Sequence, residues 1–168
     1  PLILKKQKNL KNKKIENVLT EAEQFQLSQI FMKKLGFDFS RGRIDKSLHP
    51  FCGGSSNDIR ITTRFDEKNS FSCFDALMHE TGHGLYEQNL PKKLIHQPLG
   101  SAGGMSMHES QSLFIEMQLI KSLPASRFIE KILKNKMSKN SQDWSHEKIY
   151  KLMNKVKKGF IRVDADEV

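Results

Sequence analysis

At 168 residues the chain is long enough for one domain, but 37% hydrophobic and 28% charged residues leave only a thin core. Its formal net charge is +9, and lysines crowded into residues 5–14 and 131–158 supply the excess. These flanks lack interleaved aromatic residues and any nucleic-acid motif, so the charge predicts solvated helix faces and argues against nucleic-acid binding.

The sequence predicts neither a membrane protein nor a secreted one. No apolar run approaches the ~20 residues of a membrane helix, and the lysine-rich start lacks the apolar core of a signal peptide. We therefore expect no membrane contact and a cytoplasmic location.

Cys52 and Cys73 are too few and too far apart for a disulfide framework or a thiolate zinc site, so both are expected to be reduced thiols in packed positions.

The first half of the chain predicts one helix, one loop and one strand. Apolar residues recur at helical spacing from Ile15, which predicts a helix over Ile15–Leu35 that Gly36 ends. The run Gly53–Asn57 is typical of a loop. Apolar and polar residues then alternate over 58–65, which predicts a strand with one apolar face.

The second half predicts four helices by its apolar periodicity and turn residues. Their predicted ranges are 70–89, 106–123, 126–136 and 145–156. Pro124 is expected to end the second of them, and the polar stretch 138–142 to separate the last two.

The predicted helix over 70–89 contains the sequence His79-Glu80-Thr81-Gly82-His83. Positions i and i+4 lie on one helix face, so His79 and His83 can direct imidazole nitrogens at one metal ion. Glu80 lies one residue round the helix, where its carboxylate stands beside the metal without ligating it. That position suits a general base. The sequence therefore predicts a metal-dependent hydrolase that activates water.

A catalytic zinc has three protein ligands and an open position for water. Glu109, in the first turn of the next predicted helix, is the favoured third ligand, and His108 and Glu116 are alternatives. Gly82 and Gly84 weaken the motif helix, which indicates that a second helix or the substrate approaches its backbone closely.

Several of these segments together resemble one known family, the thermostable carboxypeptidase Taq family of zinc-dependent metallocarboxypeptidases. The resemblance rests on five motifs that occur in the expected order: His49-Pro50-Phe51, Asp58-Ile59-Arg60-Ile61-Thr62, the run from His79 to Gln88, His108-Glu109-Ser110-Gln111, and Ile161-Arg162-Val163-Asp164-Ala165-Asp166. It implies His79, His83 and Glu109 as metal ligands and Glu80 as the catalytic glutamate.

The resemblance also implies what the site acts on. Family members remove single residues from peptide C termini, so the expected substrate is a peptide and the expected cofactor is zinc, with cobalt or manganese able to use the same ligands. A carboxypeptidase needs a cation for the substrate's terminal carboxylate. Arg60, Arg64 and Arg162 are candidates; Arg60 and Arg162 are favoured because they lie in family-like motifs. His108 is a candidate donor to the developing oxyanion.

The fold implied is mainly α-helical, with a zincin-like pair of active-site helices and a short β-strand element. Family members are several times longer and form a long groove, so we expect a fragment of that groove fold. The expected division is a basic N-terminal helical segment, 1–43, and a partial catalytic domain, 44–168. The resemblance further implies a homodimer or association with missing segments. An inactive zinc-binding fragment is the alternative to an active enzyme.

Overall fold

The computed structural model describes residues 2–8, 19–136 and 144–156, and it is mainly helical with one small sheet, as expected. The helices are α1 (Leu2–Lys8), α2 (Glu21–Leu35), α3 (Ser70–Gln88), α4 (Met105–Leu113), α5 (Leu123–Lys136) and α6 (His146–Met153), with a π-helix over Phe114–Ile120. The strands are β1 (Gly42–Lys46), β2 (Phe51–Ser55) and β3 (Asp58–Thr63).

The sheet has the order β1-β3-β2, with β1 parallel and β2 antiparallel to β3. The predicted strand is therefore β3, which ends two residues early and lies at the centre of the sheet. Its buried residues alternate with exposed ones, as predicted, and Ile59 and Ile61 are fully buried. The sequence did not predict β1 and β2. The predicted loop over Gly53–Asn57 is wrong for its first three residues, because Gly53–Ser55 pair with β3 as part of β2.

Helix α2 begins later than the periodicity predicts. Thr20 is its N-cap: the Thr20 hydroxyl accepts from the Glu23 backbone N–H while the Glu23 carboxylate accepts from the Thr20 backbone N–H. This capping box fixes the start at Glu21, and residues 15–18 of the predicted helix lie outside the described residues. Gly36 ends the helix in the left-handed region at φ 98°, as predicted.

The helix predicted over 106–123 is an α-helix followed by a π-helix in the structure. After α4 the chain continues as the π-helix, turns at residues 121–122, and enters α5 at Leu123. Pro124 therefore lies in the first turn of α5 and does not end the preceding helix. Proline is tolerated in a first turn because its missing N–H would have no intrahelical partner there.

Helices α2, α3, α5 and α6 share one apolar core with the inner face of the sheet. Phe31 of α2 contacts Phe74 of α3 and Phe128 of α5 edge-on, with ring centroids 5.5 and 5.4 Å apart. Trp144 packs on Phe71 just before α6. The Ser145 hydroxyl caps α6 by accepting from the Lys148 N–H. The core holds α3 on the sheet and leaves its other side to α4.

Within the described part of the chain, no helix combines the length and apolar character that a membrane crossing requires.

Candidate metal centre

The metal-motif helix α3 and helix α4 pack with their backbones in close contact at Gly82. A Cβ placed on Gly82 would lie 2.5 Å from Ser112 Cα and 2.8 Å from the Gln111 carbonyl oxygen. This is the close approach predicted from the motif glycines. Gly84 faces the sheet instead, where a Cβ would meet the side chains of Phe37, Ile61 and Ile59 at 3.0–3.2 Å. Only glycine at position 82 lets α4 bring Glu109 beside the two histidines, and because α4 begins at Met105, Glu109 lies just after its first turn and not within it as predicted.

This packing brings together His79, His83 and Glu109, whose ligating atoms all lie within 4.8 Å of one another, so the three side chains could hold a metal ion. Nε2 of His79 is 3.4 Å from Glu109 Oε1, and Nε2 of His83 is 3.4 Å from Glu109 Oε2. Those distances exceed the usual range of N–H···O hydrogen bonds.

The two nitrogen–oxygen distances, each to a different oxygen of Glu109, are in the range expected between zinc ligands. Zinc binds imidazole nitrogen and carboxylate oxygen at about 2.0–2.2 Å, so ligands at the corners of a tetrahedron lie about 3.3–3.6 Å apart. Two imidazoles and one carboxylate are also a recurrent ligand set of catalytic zinc. The Glu109 side chain is 43% exposed, against 21% for His79 and 13% for His83, so the group faces solvent on the Glu109 side.

The other ring nitrogens of the two histidines are held by side chains behind them. Nδ1 of His79 lies 2.8 Å from Glu116 Oε2, and Nδ1 of His83 lies 2.9 Å from Nδ1 of His108. Metal-ligating histidines commonly use the second nitrogen in this way, which orients the ring and selects its tautomer. Glu116 and His108, the alternative ligands, therefore contact the Nδ1 atoms of the two histidines, whereas Glu109 lies near their Nε2 atoms.

Glu116 belongs to a charged network that the π-helix positions. Its second oxygen accepts a hydrogen bond from Lys121 Nζ at 3.2 Å, and Lys121 also pairs with Asp75 of α3 at 3.4 Å. Burial favours the neutral acid, but the hydrogen bonds from His79 and Lys121 outweigh it and keep the pKa of Glu116 below its ordinary value. Glu116 therefore stays ionised and can accept the Nδ1–H of His79. π-Helical segments are frequent at functional sites.

Glu80 lies beside the donor group but is no member of it. Burial raises the pKa of Glu80 above its ordinary value, and the nearby charges of Glu109 and Glu116 add to this effect. Burial lowers the pKa of His83, and the neighbouring His79 lowers it further. A neutral His83 retains a lone pair for a metal. A carboxylate whose pKa is raised accepts a proton more readily than an exposed one.

With this geometry established, comparison with known proteins gives one consistent result. The family described as carboxypeptidase Taq (M32) metallopeptidase matches residues 2–168. The chain belongs to this family. The match includes residues 2–43, over which the motif resemblance is weak, and the division at residues 43/44 stays a prediction.

Individual M32 relatives agree with the family match. The chain is 35% identical over 155 residues to carboxypeptidase 1 of Bacillus subtilis, covering 92% of this chain and 31% of the relative. It is 38% identical over 135 residues to thermostable carboxypeptidase 1 of Thermus thermophilus, covering 79% of this chain and 26% of the relative. The structure of metallocarboxypeptidase 1 of Trypanosoma cruzi matches with a TM-score of 0.85 and 36% identity, over 98% of this chain and 35% of that one. The chain thus spans about a third of the length of these proteins.

The structure places Arg60, which was predicted to bind substrate, away from the donor group. Arg60 alternates with the buried Ile59 and Ile61 along β3, so it lies on the sheet face opposite α3, where it pairs with Asp58 at 2.8 Å. Arg64 follows β3 and is exposed. Arg162 lies outside the described residues. The role of each arginine therefore stays a prediction.

His108 is next to the donor group, but both its ring nitrogens have partners, Nδ1 with His83 and Nε2 with Glu87 at 2.8 Å. Sequence reasoning missed Glu87. The signal available was its position, four residues after His83 and so on the same face of α3.

One cysteine lies near the site. Cys52 is half-buried on β2, and burial together with the charges of Glu80 and Glu87 raises its pKa to about 12. It therefore stays a protonated thiol at neutral pH, and it is not a member of the donor group. Cys73 is a buried free thiol on α3. Both agree with the expectation of reduced, packed cysteines.

Proposed function

We propose that this chain carries the catalytic centre of a zinc-dependent carboxypeptidase, which removes single residues from the C termini of peptides. One observation carries the proposal: two imidazoles and a carboxylate, with donor atoms within 4.8 Å of one another, lie beside the half-buried carboxylate of Glu80. Membership of the M32 family supports the same reaction class.

His79, His83 and Glu109 would hold the metal. When bound, zinc supplies a Lewis acid that acidifies water and polarises a carbonyl group. Glu80 takes a proton from the attacking water, which is why a carboxylate with a raised pKa suits this position. Glu80 then gives the proton to the leaving amine, so that it ends each cycle ionised. Glu116 and His108 hold the rings of His79 and His83 throughout.

Zinc is proposed over cobalt and manganese because two neutral imidazoles and one carboxylate form a recurrent zinc set. The same donors accept cobalt or manganese, and affinity alone seldom selects the metal in a cell. Competition between the purified chain and a chromophoric chelator, measured separately with each of the three metals, would rank their affinities.

The activity is tested with an N-blocked peptide incubated with the zinc-reconstituted chain, beside a chelator-treated sample. Mass spectrometry should show stepwise, chelator-sensitive loss of C-terminal residues. The Glu80→Gln variant should bind zinc as the unmodified chain does and lose turnover. Retained hydrolysis in that variant would remove Glu80 as the base.

A second candidate is zinc binding without turnover. It is favoured by the position of Arg60 on the sheet face opposite α3, away from the donor group. An untouched peptide with measurable zinc binding would support it. Homodimer formation stays a prediction from the family resemblance, and a cytoplasmic location stays a prediction from the sequence.

A further inference from the structure

A chain of three side chains runs from Glu87 through His108 to His83, on the side of the site away from Glu109. Oε1 of Glu87 lies 2.8 Å from Nε2 of His108, and Nδ1 of His108 lies 2.9 Å from Nδ1 of His83. All three are mostly shielded, with side chains 24%, 18% and 13% exposed. Unlike His79, which a carboxylate holds directly, His83 is held by a second imidazole.

Two ring nitrogens at hydrogen-bonding distance share one hydrogen, so one donates and the other accepts. A neutral imidazole carries its hydrogen on only one of its two nitrogens. The tautomers of His83 and His108 are therefore linked. If Nδ1 of His108 donated, Nδ1 of His83 would have to accept, and the hydrogen of His83 would then occupy Nε2. That tautomer has no lone pair on the side of Glu109.

Glu87 removes this alternative. An ionised carboxylate can only accept, so Nε2 of His108 carries the hydrogen and Nδ1 of His108 becomes the acceptor. Nδ1 of His83 then donates to it, which leaves a lone pair on Nε2 of His83. The separation of 3.4 Å between that nitrogen and Glu109 Oε2 agrees, because it exceeds the usual N–H···O length.

The surroundings keep the His108 ring in place for this role. Tyr86 lies edge-on to the ring, with centroids 5.0 Å apart and an interplanar angle of 87°. The Tyr86 hydroxyl accepts from the Gly103 backbone N–H at 3.0 Å, two residues before α4 begins. One residue of α3 thus holds both the His108 ring and the loop that leads into the helix carrying it.

We propose that Glu87, acting through His108, sets His83 as the tautomer whose Nε2 is free to bind metal. Glu87 and His108 are positioning residues in this scheme. The inference concerns the metal site on which the proposed function rests, and it assigns His108 to His83 instead of to the substrate oxyanion.

The test begins with the metal-free chain. Long-range ¹H–¹⁵N correlations of the imidazole rings report which nitrogen of each histidine carries hydrogen. We expect His83 with hydrogen on Nδ1 and His108 with hydrogen on Nε2. Hydrogen on Nε2 of His83 in the unmodified chain would overturn the proposal without any variant.

Variants of Glu87 then separate the hydrogen bond from the bulk of the side chain. Glu87→Leu removes the acceptor, and we expect a mixed His83 tautomer and zinc affinity about tenfold to a hundredfold lower. Glu87→Gln keeps an oxygen that can accept from Nε2 of His108, and it should recover most of the affinity. Glu147→Gln, which removes an exposed carboxylate from α6, is the matched control and should match the unmodified chain.

The outcomes distinguish this inference from the proposed function. If the unmodified chain binds zinc and Glu87→Leu binds it equally well with an unchanged His83 tautomer, the tautomer role is wrong. If the unmodified chain binds no zinc, the proposed function fails, and the tautomers of the metal-free chain still decide the inference.

Discussion

Replacement of Gly82 by alanine tests whether backbone contact between α3 and α4 builds the metal site. The added Cβ would lie 2.5 Å from Ser112 Cα and 2.8 Å from the Gln111 carbonyl oxygen. Carbon atoms in favourable contact lie about 3.5–4.0 Å apart, so α4 must move away by roughly 1 Å. Both neighbours are main-chain atoms, which cannot rotate aside as a side chain would.

Two terms set the effect on stability. Overpacking of this kind costs about 1–3 kcal/mol, and a backbone neighbour places Gly82→Ala near the upper end. Alanine is about 1 kcal/mol better than glycine inside a helix, which offsets part of the cost. We therefore expect the free energy of unfolding to fall by about 2 kcal/mol, measured by urea unfolding followed by far-UV circular dichroism.

The same movement weakens metal binding. Glu109 lies three residues before Ser112 on α4, so its oxygens withdraw from His79 and His83, from which they are now separated by 3.4 Å. We expect zinc affinity to fall about tenfold or more, comparable with the loss of an outer hydrogen bond at a metal site. Competition with a chromophoric chelator measures it.

Gly84→Ala is the matched control on the same helix. Its Cβ would meet only side-chain atoms of Phe37, Ile59 and Ile61 at 3.0–3.2 Å, and these can give way by a few tenths of an ångström. It should bind zinc as the unmodified chain does. A Gly82→Ala variant with unchanged zinc affinity and an unchanged urea midpoint would refute the account of the helix contact.

Three further predictions concern side chains around the core and the site. Glu116→Gln should lower zinc affinity about tenfold in chelator competition, because the amide holds His79 without a negative charge; unchanged affinity would count against the Glu116 role. Thr20→Ala should reduce the free energy of unfolding by about 1 kcal/mol through loss of the capping box, and an unchanged urea midpoint would contradict this. The Lys134 ammonium lowers the pKa of Glu130 from 4.5 to about 2, with a further hydrogen bond from His146, so the ionised carboxylate stabilises the fold above pH 4.5 and loses this effect as the pH falls toward 2. Urea unfolding of Glu130→Gln should therefore show reduced stability at pH 7 and little of this difference at pH 2.

The sequence determined the features that depend on neighbours along the chain. The i, i+4 spacing of His79 and His83, the stop at Gly36 and the alternation along β3 each follow from local backbone geometry, and the structure confirms all three. The close approach at Gly82 was also predictable, because glycine inside a helix has an energetic cost that a close contact explains.

Strand pairing was decided only by the tertiary structure. β1 and β2 have no alternation of their own that identifies them, and each becomes a strand by hydrogen bonding to β3. The tertiary structure also decided where the helix predicted over 106–123 ends. The sequence predicts one helix over 106–123, but in the structure residues 114–120 form a π-helix that packs on α3, and α5 starts before Pro124.

Side-chain partners at the site were likewise beyond the sequence. Glu109, Glu116 and His108 were all candidate ligands by residue type and position, and only the packing of α4 and the π-helix on α3 placed Glu109 at the two Nε2 atoms and the other two at the Nδ1 atoms. The spacing of residues along one helix determines which side chains share a face of that helix. The rotation and separation of two packed helices determine which residue of the second helix reaches that face, and these come from contacts distant in sequence.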